Sequence, residues 1–324
     1  MILFWIGFLI FIVLLLALDL GVFHRTMHRI RTREALRWTL FWIVLALLFN
    51  VFIYYAYRYH WLGIGTSTLH VSSGEDAALK YFTGYIIEKS LSLDNIFVIA
   101  MIFAYFNVPA LYQHRVLYWG ILGALIMRGI MIIAGIALIN KFYWMIYVLG
   151  VLLIVTAIRM LLTGNEKIEP DKNLLVRLAR KIYPVTKDYE GSRFFSHVGK
   201  RKAITPLFLV LLVIESTDVL FAIDSIPAIF AITTDPYIVF TSNVFAILGL
   251  RSLYFALASM IDKFRYLKLS LVFVLMYVGV KMLLSHLYKI PTLISLAIIA
   301  SILSVGIAFS LLASQREKKA TASN

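Results

Sequence analysis

The sequence contains no cysteine, which excludes disulfide scaffolds, thiolate metal sites and cysteine nucleophiles. Charge is scarce as well. Asp, Glu, Lys and Arg make up 15% of the 324 residues, whereas soluble domains carry about 25%. Acids are the rarer sign, 17 against 31 Lys and Arg, for a formal charge of +14. What fills the chain instead is apolar, 61% of it. At roughly 20 apolar residues per crossing, that content supplies about nine transmembrane helices. On a soluble protein the positive charge would suggest nucleic acid. On a membrane protein it records topology, so the expected surroundings are a lipid bilayer and no nucleic acid.

Nine apolar stretches are read at 2–23, 37–57, 79–105, 116–139, 143–162, 205–231, 238–261, 267–285 and 292–313. Each is expected as a helix, which satisfies its own backbone in lipid. The first is too long for a cleaved leader and has no basic residue ahead of it, so it is read as retained. Lys and Arg fall unevenly between the stretches. The loops after spans one, three, five and seven, together with the tail, hold 22, and the opposite loops hold only Arg58, Lys80, Lys141 and Lys289. The positive-inside rule then places the N-terminus outside and the C-terminus in the cytoplasm.

The chain divides into five parts. Residues 1–78 hold two helices and an outer loop, and 79–162 and 205–285 hold three spans each. Between these lies the basic cytoplasmic loop 163–204, and 286–324 form the ninth span and tail. In the loop, Leu174, Leu175, Leu178 and Ile182 stand at helical spacing among Arg177, Arg180 and Lys181, after Pro170. That pattern suits a basic amphipathic helix on the inner leaflet, or a solvated linker with a turn or two of helix.

Segment 137–162 aligns without gaps onto 259–284 with eight identities in 26 positions. Upstream, Ser92-Leu-Asp94 matches Ser216-Thr-Asp218, Arg128 matches Arg251, and Arg159 matches Lys281. Matched charges inside apolar helices carry the weight, because such charges are costly and rare. Three spans per copy make the second copy enter from the opposite side. This is the inverted repeat of many secondary transporters, which hold substrate near the midplane. The fold class expected is therefore an all-α polytopic membrane protein with two inverted three-helix units.

Six carboxylates fall within the spans, Asp19, Glu88, Asp94, Glu215, Asp218 and Asp224, with the cations Lys89, Arg128, Arg159, Arg251 and Lys281. Asp19 is expected to pair locally, and Arg159 and Lys281 to snorkel toward the interface. At about 100° per residue, Glu88, Ser92 and Asn95 share one helix face, and Glu215 and Asp218 share another. Pro227 lacks an amide hydrogen and disfavours helix before it, so a break there is expected to turn Asp224 inward. Oxygen donors of this kind suit Mg²⁺, Mn²⁺ or Ca²⁺. Met101, seven residues after Asp94, is either a thioether donor favouring Mn²⁺ or ordinary packing. Lys89, Arg128 and Arg251 serve as counterions when metal is absent, or as fixed structural partners. His24 and His28 could form a metal clip or pH sensor, though a basic juxtamembrane segment explains them more simply; His60 and His70 receive no role. An intramembrane enzyme is not expected, because no G-x-S-x-G, His-Glu-x-x-His or Gly-x-Gly-Asp motif is present.

The stretch Glu88-Lys-Ser-Leu-Ser-Leu-Asp94-Asn95 resembles the signature of the TerC family of bacterial inner-membrane proteins. So do Asp218-Val-Leu-Phe-Ala-Ile-Asp224-Ser-Ile-Pro-Ala and Thr241-Ser-Asn243-x-Phe-Ala-Ile-Leu-Gly-Leu-Arg251. The likeness runs from Leu48-Phe-Asn50 to Lys289-Ile-Pro291, and length and span number resemble the Alx branch. The resemblance implies export of Mn²⁺, an association with alkaline conditions and a tellurite-resistance label. It also implies Glu88, Asp94, Asn95, Asp218, Asp224 and Asn243 as the site, to which Glu215 is added here from its shared face with Asp218. Proton counter-transport is the expected coupling. Export of another small cation, organic cations included, and an accessory role toward exported proteins are the competing readings.

Overall fold

A computed structural model describes residues 2–21, 32–67, 70–71, 73–162, 173–198, 201–257, 267–288 and 290–322. Among these residues the chain forms eleven α-helices and two short hairpins. The helices are α1 (Ile2–Gly21), α2 (Thr32–Arg58), α3 (Gly74–Tyr105), α4 (Ala110–Lys141), α5 (Met145–Leu162), α6 (Leu174–Ile182), α7 (Pro206–Phe230), α8 (Pro236–Leu248), α9 (Leu250–Leu257), α10 (Leu267–Leu284) and α11 (Thr292–Ala322). Strands β1 (Thr66–Ser67) and β2 (His70–Val71) pair antiparallel, as do β3 (Phe195–Val198) and β4 (Arg201–Ile204).

The described residues are predominantly helical, so the chain is an all-α polytopic membrane protein. Six helical segments among the described residues are long and apolar enough to cross a bilayer. They are α2, α4, α5, α7, the α8–α9 pair and Thr292–Ser310 of α11. The apolar cores of α1 and α10, Leu3–Ala17 and Leu269–Leu284, are shorter. Helix α3 interrupts its apolar run with Glu88, Lys89 and Asp94.

Local chemistry sets several helix starts. Ser73 accepts the Asp76 amide at 3.2 Å to open α3. Asp235 accepts the amides of Tyr237 and Ile238 at 3.0 and 3.3 Å, with Pro236 at the first helical position of α8.

Helix α1 runs antiparallel to α2, with Phe4 against Phe52 and Phe8 against Phe49, and both lean on Tyr237 of α8. One end of the bundle therefore gathers Phe4, Tyr57, Gly74 and Asp235. At the opposite end the segment from 173 onward is not a loose linker. Val176 is buried with Phe103, Val116 and Ile204, and the Tyr189 hydroxyl donates to the Phe106 carbonyl at 2.7 Å. Desolvation raises the pKa of that hydroxyl above the ordinary tyrosine value. Helix α6 is capped by Asn173. Its Val176 holds it to the body, while Leu174, Leu175, Leu178 and Ile182 stay exposed. Residues 163–172, with Pro170, lie outside the described residues, as do His24, His28 and the side chain of Asp19. His60 occupies a left-handed corner with Nδ1 3.2 Å from the Ile64 carbonyl, and His70 pairs with Ser67 in the first hairpin.

Three local expectations are corrected. Helix α7 is unbroken through Pro227. The proline sits in its last turn, where only one ladder bond is lost and the Ala231 amide still reaches the Pro227 carbonyl. Span seven divides instead, at Gly249, into α8 and α9. The Lys89 ammonium donates to the Ala246 carbonyl at 3.2 Å, meeting the negative end of α8. Lys281 does not snorkel. It is 8% exposed and donates to Ser295 of α11 at 2.8 Å, because α11 lies across its route to the interface.

Helices α5 and α10 pack closely through Gly150 and Gly279. A Cβ at Gly279 would stand 2.8 Å from Ile154 Cγ1 and 2.9 Å from the Gly150 carbonyl. Gly279→Leu is therefore expected to destabilise the bundle by about 1–3 kcal/mol, read as a lower thermal midpoint of the purified protein in detergent.

Candidate functional site

The centre of the bundle is built on Arg128, 2% exposed, projecting from α4. An arginine stays charged in proteins and carries five N–H donors, so a buried one must find oxygens in every direction. Its Nε and Nη2 grip Asp218 of α7 as a fork, at 3.2 and 3.0 Å. Its Nη1 donates to Glu88 of α3, to Ser225 of α7 at 3.2 Å and to Asn243 of α8 at 3.4 Å. The Asn243 amide closes the ring by donating to Glu88 Oε2 at 3.1 Å. Four helices thus meet at one guanidinium. Counted formally, two carboxylates against one cation bring this ring to −1.

Asn95, 4% exposed, lines a cavity of about 20 Å³ together with Asp218, Thr217, Phe221 and Arg251. That is room for about one water. Asp94 is half-buried on the same helix as Asn95. Glu215 lies along α4 where Gly123 leaves space, since a Cβ there would clash with the carboxylate. Asp224 turns to α5, accepting from Thr156 Oγ1 at 2.9 Å with Arg159 near its charge.

Lys89 directs its ammonium to the carbonyl end of α8 while lying within reach of the Glu88 charge. Met101 is 43% exposed and lies thirteen residues beyond Glu88 along α3, a position that suits the packing reading of the two given for it. Among the described residues no group of three or more Asp, Glu or His side chains is gathered closely enough to hold a metal ion. Arg128 occupies the space between Glu88 and Asp218, the two carboxylates it holds.

Ser225 and Thr156 were not singled out from sequence. Ser225 stands seven residues after Asp218, so helical periodicity places it on the same face. Nothing local marks Thr156, whose role is set by α7 packing against α5.

Residues 73–319 match the family described as Integral membrane protein TerC family. An uncharacterized membrane protein of Myxococcus xanthus, STKORF319, is 48% identical over 96% of this chain and 92% of its own length. An uncharacterized membrane protein of Rickettsia bellii is 42% identical over 94% of this chain and 95% of its own. The Escherichia coli K12 protein with the provisional name membrane-bound redox modulator Alx is 41% identical, over 92% and 91%. No solved structure matches the chain.

Removing Arg128 would leave two buried carboxylates facing each other. Arg128→Met is expected to cost about 3–5 kcal/mol, and Arg128→Lys to recover only part, since an ammonium cannot fork onto Asp218. Adding Glu88→Gln and Asp218→Asn to Arg128→Met should restore most of the loss. Thermal unfolding of the four proteins in detergent checks the order.

Proposed function

The chain belongs to the TerC family of integral membrane proteins, and we propose that it is a secondary transporter exporting divalent cations, manganese first among them, in exchange for protons. The observation that carries this reading is the Arg128 guanidinium held between Glu88 and Asp218. A cation bound inside lipid by carboxylates from two helices is the arrangement a transporter needs when empty of cargo. Intramembrane ionisable groups of this kind mark ion pathways. An entering divalent ion would compete with Arg128 for the same oxygens and leave the site with a different charge. That difference is what an alternating-access cycle can use.

Carboxylate, amide and hydroxyl oxygens around the ring and the adjoining cavity favour a hard divalent ion over Zn²⁺ or Cu⁺. The matched charges of 79–162 and 205–285 support two inverted repeats, with nine spans, an outer N-terminus and a cytoplasmic C-terminus in a bacterial inner membrane. The redox name of the Alx relatives is compatible with this reading. This chain has no cysteine to cycle, whereas moving a redox-active metal ion alters redox balance without redox chemistry in the protein. No enzymatic step is proposed.

Inside-out vesicles containing the purified full chain should accumulate Mn²⁺ when a proton gradient is imposed. Glu88→Gln, Asp94→Asn and Asp218→Asn should each reduce uptake by at least about tenfold. Competition with Mg²⁺, Ca²⁺, Na⁺ and lysine separates manganese from other small cations. Wild-type vesicles that take up no Mn²⁺ would refute the transport reading. Variants that match wild type would refute the site.

A further inference from the structure

Along α3, Tyr81, Tyr85, Glu88, Ser92 and Asn95 follow at intervals of four, three, four and three residues, so one helix face carries all five. All are buried, at 1, 3, 0, 1 and 4% exposure. Glu88 is engaged in the Arg128 ring. The hydroxyls of Tyr81, Tyr85 and Ser92 have no hydrogen-bond partner among the described residues, and neither does Asn50 Oδ1 of α2. Asn50 lies at the height of Tyr81. Gly74 of α3 packs on Tyr54 and Arg58 of the antiparallel α2, and seven residues further along each helix bring Phe49 and Asn50 beside Tyr81. The Phe49 and Tyr81 ring centroids are 5.8 Å apart.

A buried hydroxyl without a partner bears its full desolvation cost, and phenylalanine would fill the same space without it. Such oxygens therefore point to a partner supplied from outside the chain. Hydrated metal is excluded on this side of the ring, because Tyr81 is packed between Phe49 and Phe245. A proton needs far less room. Hydroxyls both donate and accept, so a phenol can take a proton on one side and release one on the other, ending as it began. Asn50 Oδ1 can only accept, and would hold a bridging water. At the outer limit of this line the Tyr57 hydroxyl donates to Asp235 Oδ2 at 2.8 Å, both residues buried, with Tyr237 adjacent.

We infer that Asn50, Tyr81 and Tyr85 form a proton route joining the Asp235 end of the bundle to the Arg128 ring. The charged and titratable groups facing it are Asp235, Tyr57 and Tyr237 at one end, and Glu88, Lys89 and Arg128 at the other. The cavity beside Asn95 lies on the far side of the ring, so the metal and proton routes leave in opposite directions. This inference rests on the proton-coupled transport reading.

The test reconstitutes the full chain in vesicles with a pH-sensitive dye inside and follows Mn²⁺ and protons together. Tyr81→Phe and Tyr85→Phe remove one oxygen each and keep the ring. Both variants should retain the wild-type thermal midpoint and Mn²⁺ binding in detergent, while proton movement falls by at least about tenfold. Proton movement at the wild-type rate in both would overturn the route and leave the transport reading intact. A second arm needs no transport. Radiolytic hydroxyl-radical labelling of the wild-type chain in detergent, with the radical formed from water in place, should modify the Tyr81 and Tyr85 rings, which are 1 and 3% exposed. Rings left unmodified while exposed tyrosines such as Tyr59 react would overturn the hydrated line. Wild-type vesicles that move no Mn²⁺ would instead sink the transport reading, with the labelling arm still deciding whether water reaches Tyr85.

Discussion

The arrangement of this bundle depends on one buried guanidinium. Apolar packing in lipid has no strong direction, since a leucine meets lipid and leucine alike. An arginine surrounded by four helices does have direction. Arg128 holds Asp218 by a fork, Glu88 by a third nitrogen contact and Ser225 and Asn243 beside them. Each contact fixes how far α3, α7 or α8 is rotated about its own axis. The desolvation cost of such a cluster offsets much of its attraction. Its value lies in specifying one arrangement of helices and in leaving a residual negative charge at the centre.

Around that ring the two ends of the molecule differ. The Asp235 end is closed by aromatic packing, with Phe4, Phe8, Tyr81 and Tyr237 among the buried side chains. The opposite end carries the cavity beside Asn95 and the folded segment from Asn173 to Ile204. That segment is tied to the end of α3 by Tyr189, to α4 by Arg115 Nη1 donating to Ser192 Oγ at 3.1 Å, and to the start of α7 by Thr205 Oγ1 donating to the Arg193 carbonyl at 2.7 Å. Helix α6 remains with an exposed apolar face among Arg177, Arg180 and Lys181, a composition suited to the boundary between lipid and water.

Much of the candidate site was legible because charges in apolar helices are few and expensive. Glu88, Arg128 and Asp218 stand out from sequence for that reason, and they converge with Asn243, to which only the family resemblance points. The same logic could not rank Asp224 or Lys89, which are equally conspicuous but turn to Thr156 and Ala246. The helix break shows the limit most clearly. Pro227 is the local breaker, yet it falls where a helix loses little. Gly249 divides span seven with the help of Lys89, which belongs to a helix more than 150 residues earlier in the chain.

Membrane class, helical segments, the asymmetry of Lys and Arg and membership of the TerC family follow from the sequence alone. All of these are local or additive properties: hydropathy sums residue by residue, charge is counted loop by loop, and motifs are contiguous. Which charges meet was decided only by the tertiary structure. A helix turns by about 100° per residue, so a small rotation about its axis moves a carboxylate from one neighbour to the next. The same holds for Lys281, which is covered by α11, and for the hydroxyls of Tyr81 and Tyr85, which have no partner among the described residues. Their sequence positions are plain, but their burial depends on how α2 and α8 close over α3.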